Sequence, residues 1–156
     1  MKLRGFTIVE LVVIITVMGI LMVLGVVNLS SSQANARDAE RKGDIEAIAM
    51  SLETFYTSGT DTNNIDIGYY PQASNLIDSP RTLLRDIDPK ALAAPGATTS
   101  TTSSLKDTKT PSISDYGYQC TADGDGKCRN FTLYYHTETT QAGCSNNICT
   151  VTSKNQ

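Results

Sequence analysis

MKLRGFTIVELVVIITVMGILMVLGVV, residues 1–27, opens the chain, and its reading turns on one side chain, Glu10. No charged residue occurs from position 11 to position 36. About 20 apolar residues cross the hydrocarbon of a bilayer, so residues 11–27, with 6–9 before them, suffice for a span. A carboxylate in such surroundings needs a charged or hydrogen-bonded partner, or else a place at the interface, where the charge is tolerated. The partner of Glu10 is therefore the first question the sequence raises.

Flanking charge does not orient the span. Lys2 and Arg4 precede it, and Arg37, Arg41 and Lys42 follow it together with Asp38, Glu40 and Asp44. Only Lys and Arg near the ends of a span direct its insertion, and they slightly favour the wrong end here. A secretory signal offers another reading, with Ala34-Asn35-Ala36 as an A-x-A-like cleavage site. The apolar run exceeds the ~7–15 residues usual for such a signal, and cleavage there leaves Glu10 unexplained.

The chain has 156 residues, a length suited to one domain. Its 13 basic and 16 acidic residues give a net charge of -3, with no basic footprint for nucleic acid. Cys120, Cys128, Cys144 and Cys149 all lie in the last quarter. An even number of cysteines behind an export-type segment indicates disulfides in an oxidising compartment and places the amino end inside. Three pairings are open on sequence alone, with neighbour pairing, Cys120–Cys128 and Cys144–Cys149, the first choice. Zinc fits poorly, because seven residues separate the first two cysteines, four the last two, and one histidine, His136, stands between the pairs. Neither a Ser-His-Asp set, nor HExxH, nor a Gly-rich phosphate loop occurs, so neither an enzyme nor a cofactor is expected.

Beyond Leu29 the composition turns polar. Ile45, Ile48, Leu52 and Phe55 recur at intervals of three, four and three, a stripe on one face of a helix. Ala49 beside it leaves room for a sheet to approach. Charges fall mainly off the stripe, and Asp38 with Lys42 has the spacing of a weak i,i+4 pair. Ser58-Gly59 is the expected stop. Unbroken from Phe6 to Thr57, such a helix would rise ~78 Å at about 1.5 Å per residue.

Gly68-Tyr69-Tyr70-Pro71 reads as a turn. Ser79-Pro80 predicts a short helix running to Ile87, with the serine as cap. APGATTSTTSSLKDTKTPS, residues 94–112, has no periodicity and reads as a surface loop whose threonines are open to glycosylation. DYGYQC, CRNFTLYYHT and NICTVTS predict strands, the first two joined by a hairpin turn in TADGDGK. If Cys120 faces Cys128, then Tyr118 pairs with Asn130 and Tyr116 with Thr132. That register turns both tyrosines away from the face of Phe131, Leu133 and Tyr135, and a bulge would repair it. Asp123 and Asp125 supply two oxygens for calcium, but no acidic residue follows at EF-hand spacing, so a solvated turn is expected.

KLRGFTIVELVVIITVMGIL resembles the class III leader and N-terminal helix of type IV pilins and pseudopilins. In that family a prepilin peptidase cuts after the glycine and methylates the new terminus. The resemblance implies Gly5 as the last leader residue, Phe6 as the methylated start, Thr7 at the usual hydroxyl position and Glu10 as the acidic residue used in assembly. It departs at Val27, where many members carry a helix-bending proline. ARDAERKGDIEAI is similar to the second half of the same helix in pilin-like proteins. The implied fold is α+β, with a long N-terminal transmembrane and amphipathic helix packed on a small antiparallel β-sheet of three or four strands. Residues 1–5 would be the leader, 6–29 the transmembrane and filament-core half of the helix, 30–57 its amphipathic half, and 58–156 the globular region with a disulfide-stapled end. The implied function is a structural subunit of a type IV pilus or pilus-like filament, with a pseudopilin of a type II secretion system as alternative. Its partners would be identical or related pilin subunits, the peptidase, an inner-membrane assembly platform with its own ATPase and, before assembly, the lipid bilayer of the bacterial inner membrane. A single-span anchored exported binding domain and a soluble protein cut after Ala36 remain as readings from other classes.

Overall fold

A computed structural model describes residues 5–59, 67–97 and 103–155. The chain divides into two compact units, Met1–Ala36 and Arg37–Gln156, and helix α1 (Ile8–Ser58) contributes residues to both. In the first unit α1 is long and apolar enough to cross a membrane, and the apolar window is unburied. Ile8, Val9 and Met22 are 81 %, 72 % and 73 % exposed, so this surface has no cover among the described residues. Helical pairing within the segment satisfies its backbone, which is what a span in lipid requires.

In the second unit the stripe does what its spacing implies. Ile45, Ile48 and Leu52 are fully buried and Phe55 nearly so, in one core with Tyr116, Tyr118, Phe131, Leu133 and Tyr135 of the sheet. Ala49 packs at the edge of that core. The helix ends where expected: Gly59 has φ +64° and donates its N–H to the Phe55 carbonyl at 2.8 Å, an αL cap that a glycine adopts without steric cost.

The sheet has four strands in the order β1 (Leu105–Lys106), β2 (Tyr116–Ala122), β3 (Cys128–His136) and β4 (Ile148–Thr152). β2–β3 and β3–β4 are antiparallel, while the two-residue β1 is parallel to β2. β1 corrects the reading of residues 94–112 as an unstructured surface loop, because Leu105 is buried and draws its segment onto the sheet. Residues 98–102 of that stretch lie outside the described ones.

The β2–β3 register departs from the unbulged pairing and contains the bulge that repairs it. Tyr116 opposes Tyr135, Tyr118 opposes Leu133 and Cys120 opposes Phe131, with a shift between Thr121 and Ala122. Two residues on β3, Arg129 and Asn130, take the place of one, so the strand changes parity there. The bulge brings Tyr116 and Tyr118 to the apolar face and leaves Cys128 buried as well.

Between α1 and the sheet lie α2 (Ala73–Asp78), α3 (Pro80–Leu83) and a 3-10 turn at Pro89–Leu92. The helix predicted to reach Ile87 stops at Leu83, and the Ser79 side chain makes no cap hydrogen bond. Unwinding at Leu84 lets the adjacent Leu83 and Leu84, which a helix would turn about 100° apart, both enter the core.

Candidate assembly site

Gly5 and Phe6 precede the first turn of α1, and Phe6 is 72 % exposed. Lys2 and Arg4 lie outside the described residues. Thr7 stands in the cap position of α1, and Glu10 is the third helical residue. The Thr7 N–H donates to Glu10 Oε2 at 3.0 Å and the Thr7 hydroxyl to the same oxygen at 2.8 Å. In return the Glu10 N–H donates to Thr7 Oγ1 at 3.3 Å, and the Leu11 N–H donates to the Thr7 carbonyl at 3.2 Å. This is a capping box: residues three apart satisfy each other's orphan backbone donors. Its carboxylate also lies at the positive end of the helix dipole. Glu10 thus has a partner inside its own chain.

A second polar cluster stands where the second unit begins. Asp38 and Arg41 are each 2 % exposed. Asp38 accepts from the Glu138 N–H at 2.8 Å, the Thr139 N–H at 2.9 Å and the Thr139 hydroxyl at 2.7 Å. Arg41 pairs with Asp38 at 2.9 Å and Glu138 at 3.1 Å, and donates to the carbonyls of Ile113 and Pro95. Arg37 closes on Glu138 through two bonds, at 2.6 and 2.5 Å. Burial alone would raise the Asp38 carboxyl, but its three hydrogen bonds and Arg41 outweigh that and hold it below the usual range. The hydrogen bond from Arg37, opposed by burial and reinforced by Arg41, lowers Glu138 to about 2. The expected Asp38–Lys42 pair does not form, since Asp38 points inward to Arg41 while Lys42 reaches Glu46 at 3.9 Å.

Two further carboxylates of α1 tie it to the rest of the second unit, Asp44 to β2 and Glu53 to segments flanking the sheet. Asp44 accepts from the Tyr116 hydroxyl at 2.7 Å. Glu53 accepts from the Tyr70 hydroxyl at 2.9 Å, the Lys154 N–H at 2.8 Å and the Asn155 amide at 2.5 Å. Tyr70 is itself core and bridges to β3 by its N–H to the Cys128 carbonyl at 2.8 Å. Tyr69 stays outside, under Lys127 and Arg129.

Disulfides join Cys120 to Cys128 beside the bulge and Cys144 to Cys149. The second closes a two-residue turn in which Asn146 and Asn147 both have positive φ, and Ser145 and Ile148 exchange backbone bonds of 3.0 and 2.9 Å. Asparagine tolerates that conformation better than most residues. In the β2–β3 turn Asp123 is committed to its own chain, accepting from Asp125 N–H, Lys127 N–H and Arg129 Nε. Among the described residues there is no group of three or more His, Cys, Asp or Glu side chains placed to hold a metal.

The chain is 27 % identical over 74 residues to the type IV major pilin protein PilA of Myxococcus xanthus (strain DK1622). The match covers 46 % of this chain and 34 % of the relative, so it spans about a third of that protein's length. Taken with the apolar N-terminal helix, it supports a type IV pilin family. No family model and no solved structure matches the chain. The helix-on-sheet architecture is consistent with the pilin α+β fold.

Gly5, Phe6, Thr7 and Glu10 gather at one end of α1, whereas the cysteines belong to the second unit, Cys120, Cys128 and Cys149 on β2, β3 and β4 and Cys144 in the turn before β4. Sequence reading missed both the capping box and the buried cluster. Thr7-Ile8-Val9-Glu10 spells the box directly. The cluster had a weaker signal: counting the stripe back from Ile45 by four and three reaches Arg41 and Asp38.

Proposed function

We propose that the chain is a structural subunit of a type IV pilus or pilus-like filament, released for assembly by cleavage between Gly5 and Phe6. The observation that carries this reading is an uncovered apolar helix whose one early carboxylate is satisfied at its very start. Both the bilayer and a bundle of identical helices supply the missing cover. Moving such a helix from lipid into protein changes hydrophobic burial little, so packing and polar contacts must direct docking. The Gly5–Phe6 bond lies outside the helix, where a peptidase can bind it extended. Cleavage creates an α-amine close to Glu10, and the carboxylate then has a choice between Thr7 and a cationic terminus of its own or a neighbouring subunit. The leader would be residues 1–5, the lipid and filament-core segment 6–29, and the exported part would carry both disulfides, whose formation suits an oxidising compartment.

Glu10→Ala tests the assembly contact. Processing at Gly5 should persist while incorporation into sheared surface filaments falls at least tenfold by immunoblot. Filaments in normal amount from this variant would refute the contact. The parent preparation, imaged for long surface fibres, separates a pilus from a short secretion pseudopilus.

A further inference from the structure

We propose that Asp38, Arg41 and Glu138 are positioning residues that fix the register at which the sheet docks along α1. The apolar stripe discriminates poorly between neighbouring registers. Sliding the sheet by one step of three or four residues replaces Ile48 by Ile45, Leu52 by Ile48 and Phe55 by Leu52, apolar for apolar on the same face. Hydrophobic cores tolerate exchanges of that kind with modest loss.

The two residues that continue the stripe toward the amino end behave differently. The same slip carries Arg41 into the wholly apolar place of Ile45, away from Glu138 and from the Pro95 and Ile113 carbonyls. It also takes the carboxylate of Asp38 from the N–H groups of Glu138 and Thr139. A slip in the opposite sense sets Arg41 against those same donors. Either way buried charge loses its partners, which is far costlier than exchanging one aliphatic side chain for another. Specifying register is the best-attested use of a buried polar group. The cluster suits that use, because its acceptors and donors come from four separate segments, at α1, Pro95, Ile113 and Glu138–Thr139.

The consequence for assembly rests on the filament reading above. Identical subunits in a helical array must present their domains at one height, and a one-turn slip is about 5.4 Å. A domain docked in two registers would cap growth or be excluded.

The test uses the full chain in detergent micelles. No cysteine is free, so Ala39→Cys and Asp125→Cys, both at exposed positions, accept spin labels beside the intact disulfides. Glu138 meets α1 at Asp38, while Cys128 lies beside Tyr70, which reaches Glu53, so this pair is separated mainly along the helix. The parent should give a single distance. With Asp38→Leu, Arg41→Met and Glu138→Leu together, the chain should melt no lower than the parent yet show a second distance shifted by about 5 Å. A single parental distance in that folded variant overturns the proposal. If the triple variant shows no cooperative transition, the labels are read in Asp38→Asn with Glu138→Gln. There a second distance supports the proposal and the parental distance alone overturns it. A parent that forms no filaments, with the distances behaving as expected, contradicts the filament reading and leaves the register role standing.

Discussion

Glu138 shows how a surface residue becomes structural. Its carboxylate lies between Arg37 and Arg41, and the pull of the two guanidiniums, led by Arg37, lowers it from 4.5 to about 2. A group with a depressed folded pKa contributes stability that is fully present above its unfolded value and is lost as pH falls through the folded one. The melting temperature should therefore fall between roughly pH 5 and pH 2, and Glu138→Gln should flatten that part of the profile while lowering stability at pH 7. Asp38, also depressed, steepens the same limb, whereas Asp44, raised mainly by burial, acts in the opposite sense. Comparing parent with Glu138→Gln by circular dichroism cancels the other groups, and two parallel profiles would contradict the role given to Glu138. Glu10 is satisfied by a neighbour three residues away, a pairing written in the sequence. Apart from Arg41, the partners of Asp38 lie 100 and 101 residues away, and nothing local to Asp38 announces them.

Among the elements, α1 was the most legible, since apolar spacing, a terminal glycine and an uncharged run each state their meaning locally. Its buried face was read from Ile45 onward, because apolar periodicity ends where the buried residues become Arg41 and Asp38. The strands were legible as strands, but their register was not. The bulge at Arg129 follows from the need to bury Tyr116, Tyr118 and Cys128 together, which is a property of the packed sheet. The short α2 was missed because six residues carry too little periodicity to read. Gly117 gives a test at this scale. A Cβ there would overlap the carbonyl oxygen of Thr108 and crowd the Tyr134 Cβ. Alanine in a strand interior normally gains ~0.5–1 kcal/mol over glycine, but overpacking against rigid backbone costs ~1–3 kcal/mol. The clash should win: Gly117→Ala should lower stability to urea by ~1–2 kcal/mol and speed amide exchange in residues 105–108, whereas a stabilised variant would show that the segment yields freely.

At the scale of the whole molecule, one unit is an apolar helix exposed among the described residues and the other a domain closed by its own core, buried ion cluster and two disulfides. Such a division of labour fits a subunit that waits in a membrane and later gives its helix to a filament. The proposed sequence of events begins with cleavage of the bond between Gly5 and Phe6. The most direct measurement is the intact mass of the chain extracted from membranes under non-reducing conditions. The account predicts a chain that begins at Phe6, heavier by one methyl group and lighter by two hydrogens for each disulfide. A chain that keeps Met1 and Lys2, or one that begins at Arg37, would contradict it.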